Sequence, residues 1–138
     1  MTDDLIVRAS VYGTAAFTGV AVVAAVTEAG PLVVASVVVD LALFAAGCVA
    51  FVVTLLRAAD RSRREAVTLP GLWWLSGSAP AAVRRALLAS FGVEVVVALV
   101  TASVRPFTGL AFGVLVPVYG LGLAGWWAAR MGTFPPRV

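Results

Sequence analysis

The chain has 138 residues, of which 62% are hydrophobic and only 12% charged, and its mean hydropathy is +1.04. A water-soluble domain of this length has too little interior to hide so much apolar surface, so the composition argues against a soluble globular fold and makes the bilayer the expected solvent. The net charge of +3 and a pI near 10.0 would suit nucleic acid, but the arginines adjoin apolar stretches with few aromatic residues between them, so no nucleic-acid partner is expected.

Histidine is absent and Cys48 is the single cysteine. The chain therefore lacks the commonest general base and zinc ligand and has no second thiol for an internal disulfide or a multi-cysteine metal motif. No metal, cofactor or enzymatic activity is expected on those grounds.

Spanning helices need about 20 predominantly apolar residues. The first such stretch covers residues 8–26. The Asp3 and Asp4 that precede it are acidic where a secretory signal is basic, so it is expected to remain as a span. Glu28, Gly30 and Pro31 interrupt the pattern, and the second stretch covers 32–56. A linker of about five residues makes the two a tight antiparallel hairpin.

Residues 57–85 form the one long loop, carrying Arg57, Arg61, Arg63, Arg64, Arg84 and Arg85 against Asp60 and Glu65. Its centre holds Trp73 and Trp74, which read as interfacial anchors. Ser78, two residues before Pro80, is the expected cap of a third helix that spans at 86–104. Arg105 to Gly109 turns the chain, and a fourth span covers 110–129, with Pro117 expected to kink it or free a carbonyl and with Trp126 and Trp127 near its end as further interfacial anchors.

The expected fold is thus an all-α bundle of four transmembrane helices in a single domain, residues 1–138. The arginines of the loop and the two after the fourth span share one side of the membrane. Orientation follows such basic excess in short loops, so both termini and the loop are expected on the cytoplasmic side of the cell membrane. Anionic lipid is the expected partner of the loop arginines.

Charges within the bilayer are costly, which makes Asp40 in the second span and Glu94 in the third the most informative positions. Ser36, Asp40, Gly47 and Thr54 share one face of the second helix, and Ser90, Glu94 and Thr101 one face of the third. Ser10, Thr14, Thr18, Ala21, Ala25 and Glu28 form a similar stripe on the first. The expectation is a polar seam between the second and third helices, in which Asp40 and Glu94 approach closely enough to share a proton. At the outer surface Glu28 and Arg105 are the only charges and are expected to pair. Gly109, Gly113, Pro117, Gly120 and Ala124 line one face of the fourth helix, a small-residue stripe suited to close helix packing.

Two functions fit these residues. A scaffold or accessory subunit, associated with another membrane protein or a second copy, needs the acids only as interhelical ties. A small proton- or cation-coupled transporter or channel would use Asp40 and Glu94 as its site. Size and span number match the small multidrug transporters and the dual-topology fluoride channels, but the first helix carries its glutamate only at the outer end and the channel motifs are absent, so no family is identified.

Overall fold

The computed structural model describes residues 3–138, and among them every element of regular structure is helical. Four helical segments are long and apolar enough to cross a membrane, with mean hydropathy between 1.6 and 2.5.

Helix α1 spans Asp3–Thr27. Asp4 pairs with Arg8 one turn on, at 3.6 Å. The helix ends where Glu28 takes a left-handed conformation, φ 54°, while its amide still reaches the Ala24 carbonyl at 3.0 Å. A side chain other than glycine seldom occupies that region, and here it closes a helix C-terminus in the way such residues do.

Helix α2, Gly30–Arg61, begins directly after Ala29 with Pro31 in its first turn. The hairpin linker is therefore shorter than the sequence suggested. The helix also outruns the predicted span, continuing past Arg57. Its 32 residues extend about 48 Å, well beyond a hydrocarbon core of about 30 Å. Hydropathy marked where the apolar stretch stops, but alanines and arginines, both good helix formers, carry the helix onward.

The loop folds onto the bundle. A one-turn helix, α3 (Leu69–Trp73), is capped by Thr68, whose hydroxyl accepts from Gly71 N at 3.1 Å. Ser78 does not cap the next helix. It is buried and donates to the Gly71 carbonyl at 2.5 Å, while its own carbonyl accepts from Thr133 N at 2.9 Å. Helix α4, Ala81–Val104, starts instead after Pro80 without a side-chain cap.

The fourth span is discontinuous. Residues Gly109–Leu115 wind as a 3-10 helix opened by the Thr108 hydroxyl, and α5 covers Pro117–Met131. Pro117 therefore does not kink a continuous helix. It occupies the first turn of a new one, where its missing N–H costs no helical bond.

Around the bundle, α2 packs on α5, α5 on α4, α4 on α1 and α1 on α2, with the 3-10 segment wedged between α2 and α4. Half of the fourth span's apolar window is buried, against 17–28% for the others. Its glycines explain why. A Cβ on Gly47 of α2 would lie 2.6 Å from Tyr119 N, and one on Gly122 would lie 2.7 Å from the Gly47 carbonyl oxygen, so the two backbones touch directly. Membrane helices associate through such close approach.

The tryptophans are less exposed than anchoring would require. Trp127 is buried, and Trp73 stacks on Phe51 at 4.4 Å over the face of α5 that Gly125 leaves open. Trp74 remains about half exposed. Sequence position assigns all four tryptophans, Trp73, Trp74, Trp126 and Trp127, to the interface, yet Trp73 and Trp127 close the loop end of the core.

Candidate functional site

Glu94 is fully buried, at 0% exposure, on the inner face of α4 with Leu87, Ser90, Ala98 and Thr101. Thr14 of α1 donates its hydroxyl to Oε1 at 2.7 Å. Gly120, in the first turn of α5, donates its amide to Oε2 at 3.1 Å. One carboxyl thus joins three helices, and it accepts from the end of α5 where amides carry the positive side of the helix dipole. Gly120 is required for the approach, since a Cβ there would overlap Oε2 and sit 3.1 Å from the Phe91 Cα.

Next to Gly120, Tyr119 also ties α5 to α1, its hydroxyl donating to the Ala9 carbonyl. Gly13 makes room for that ring, because its Cβ would lie 2.6 Å from the phenolic oxygen. Ser10, which follows Ala9, is 0% exposed, and its hydroxyl has no hydrogen-bond partner among the described residues.

Asp40 is equally sealed, at 1% exposure, on the buried face of α2 with Ser36, Gly47 and Thr54. Its surroundings differ. Neither carboxyl oxygen is hydrogen-bonded within the described protein. The side chain faces the 3-10 segment, where a Cβ on Gly113 would lie 3.8 Å from Oδ2 and 3.3 Å from Phe17. A buried acceptor left without a donor costs about 1–3 kcal/mol, so Asp40 holds unused hydrogen-bonding capacity in the middle of the bundle.

The expected seam between the second and third spans does not form. Helices α2 and α4 stand across the bundle from each other, and the fourth span fills the space between them. Asp40 meets its 3-10 half and Glu94 meets the first turn of α5, so the acids lie on either side of the break at Pro117 rather than against each other. Ser36 and Ser90 are buried on their respective helices. Thr54 and Thr101 turn their hydroxyls back to their own helices, to the Ala50 carbonyl at 2.7 Å and the Val97 carbonyl at 2.8 Å. The polar stripes were legible as helix faces. Which helices stood next to one another was not, and that is why Thr14 and Gly120 were missed as partners of Glu94.

Glu28 and Arg105 come together at the far end from the loop, where their side chains form an ion pair. The Arg105 guanidinium also reaches the Ala25 carbonyl at 3.4 Å. Both groups are more than a third exposed, so the pair contributes at most about 1 kcal/mol and serves chiefly to align two turns. Among the described residues no three acidic, cysteine or histidine side chains gather into a metal-binding group.

No protein-family model matches the chain, and no curated protein or solved structure matches it either.

Proposed function

We propose that the chain is a small non-enzymatic, multi-pass protein of the cell membrane that acts as a scaffold or accessory subunit. The observation that carries this reading is the Glu94 joint. A carboxyl enclosed by a hydroxyl, a helix amide and a glycine surface is arranged to hold α1, α4 and α5 in one geometry. Such satisfied polar contacts tie helices together where lipid offers no competing donors. The exposed apolar face of α2, with Val34, Val38, Leu41, Val49 and Val52, then remains for lipid, another membrane protein or a second copy.

Both termini and the loop are assigned to the cytoplasm, since the arginines cluster at that end and only Arg105, neutralised by Glu28, stands at the other. After replacement of Cys48, cysteines introduced at Gly30 or Thr108 should react with an impermeant reagent from outside, and those at Ser62 or Met131 should not. The reverse pattern would invert the topology.

A proton- or cation-linked transporter or channel is the second reading, favoured by Asp40, whose idle oxygens face a broken helix. Broken helices at mid-membrane expose backbone groups that transporters use to bind ions. Asp40→Asn and Glu94→Gln keep shape and hydrogen-bonding capacity while removing the titration. In vesicles containing a pH-sensitive dye, wild type and the double variant should show equal proton permeability after a pH jump. A wild-type flux that D40N alone abolishes would overturn the scaffold reading in favour of this one.

A further inference from the structure

Two grooves meet on the surface of α4. The first, of about 590 Å³, lies at the loop end, lined by Gly77, Ala81, Arg84, Arg85, Leu88 and Ala89. The second, of about 630 Å³, runs between α1 and α4 and is lined by Val11, Thr14, Thr18, Ala89, Ser90 and Val93. Ala89 lines both, so the two grooves adjoin at that residue, one basic and the other apolar with a few hydroxyls.

Charge and shape point to one kind of occupant. Among the described residues neither Arg84 nor Arg85 forms an ion pair. Arg84 gives only its Nε to the Trp74 carbonyl, at 3.3 Å, which orients the guanidinium and leaves its terminal nitrogens for an anion. Two guanidinium groups one residue apart suit a phosphate, which they bind through paired charge-assisted hydrogen bonds. Below them, α1 from Val11 to Gly19 and α4 from Ala86 to Val93 border the second groove for about 12 Å of depth, enough for the upper part of an acyl chain. Small side chains at Ala15, Gly19, Ala86 and Ala89 leave that space open.

We propose that these adjoining grooves are a binding site for one phosphate-bearing anionic lipid, its headgroup phosphate on Arg84 and Arg85 and an acyl chain in the α1/α4 groove. The groove floor includes Thr14, the donor to Glu94, so the seated chain lies against the joint that fixes α1 to α4. The site rests on the membrane-spanning reading and on neither functional one. A chain that is extracted from membranes without detergent would fail that reading before the site is tested.

The probe is phosphatidylglycerol added to the detergent-purified protein in neutral detergent, with bound lipid counted by native mass spectrometry. Phosphatidylcholine and inorganic phosphate are run alongside. One phosphatidylglycerol per chain should be retained, and R84Q/R85Q should weaken it about tenfold. R63Q/R64Q, a pair of loop arginines that are also exposed, should change it less than about twofold. Ala89→Trp, at an exposed position, should block the lipid while leaving thermal stability unchanged. Equal losses in the two arginine double variants would reduce the site to general surface charge and overturn it. Retention by A89W, or inorganic phosphate competing as well as the lipid, would overturn the seated acyl chain.

Discussion

Gly120 and Glu94 depend on each other. The acid can reach the α5 amide only because the glycine has no side chain, and the glycine is surrounded closely enough that a methyl group has no free space. Gly120→Ala should therefore destabilise the bundle by about 1–3 kcal/mol through overpacking and displacement of the carboxyl, seen as a lower midpoint of thermal unfolding in detergent. Gly19→Ala and Gly92→Ala are the contrast. Nothing lies within 4 Å of a Cβ at either position, and alanine favours the helix, so their midpoints should hold or rise slightly. The sequence marked Glu94 as exceptional from hydropathy alone. It marked Gly120 as one of a small stripe, but no residue pattern says that a particular glycine faces a particular acid.

The fourth span shows how an element can be correct in extent and wrong in winding. Its limits, near 110 and 129, were legible from the apolar run, yet its first part is a 3-10 helix. Seven residues wound at about 2.0 Å of rise reach about 14 Å, some 3.5 Å more than an α-helix would give. The tighter winding also sets Gly109 and Gly113 toward Val37 and Phe17. Tertiary packing selects this form, because local propensity alone gives no reason for so long a 3-10 stretch. Pro117 should accordingly be a mild position. Pro117→Ala removes ring constraint at a site that already lacked a helical partner, so stability should change by no more than about 1 kcal/mol. Stabilisation well beyond that, with hydrogen exchange reporting α-helical bonds through residues 109–116, would instead place the proline as a kink within one helix.

Across the molecule, Arg61 links the loop to the C-terminal tail. Its guanidinium donates to the Ala128 and Ala129 carbonyls at 3.2 Å each and to the Gly132 carbonyl at 2.8 Å, pairs with Glu65 at 2.5 Å, and lies over the Phe134 ring at 5.1 Å. These carbonyls lie in the last turn of α5 and at its cap, where the Ala128 carbonyl also accepts from Gly132 N at 2.9 Å and a cation complements the helix dipole. The tail then runs alongside the loop, with Ala66 N reaching the Pro135 carbonyl and Arg137 N the Arg64 carbonyl, at 2.8 and 2.9 Å. Arg61→Ala should cost about 1.5–3 kcal/mol for the lost charged hydrogen bonds and make residues 132–138 sensitive to protease in detergent. Arg61→Lys should rescue little, since one ammonium cannot bridge three carbonyls with a planar fork. Sequence position had grouped Arg61 with the lipid-facing arginines, whereas the fold turns it inward.

What the sequence determined by itself was whatever depends on the chain and the solvent. Long apolar runs require helices in a bilayer, where each backbone polar group must be satisfied within its own segment. The period of 3.6 then fixes which residues share a face, so Ser36, Asp40, Gly47 and Thr54 were readable as one stripe and are buried together. The tertiary structure alone decided which stripes meet. Four helices of similar hydropathy can be arranged in more than one order around a bundle, and the choice follows from where backbones can come closest. Here the glycines of α5 admit α2 on one side and the Glu94 carboxyl on the other. That packing places the fourth span between α2 and α4, separates Asp40 from Glu94, and gives Glu94 its two donors while leaving Asp40 with none among the described residues.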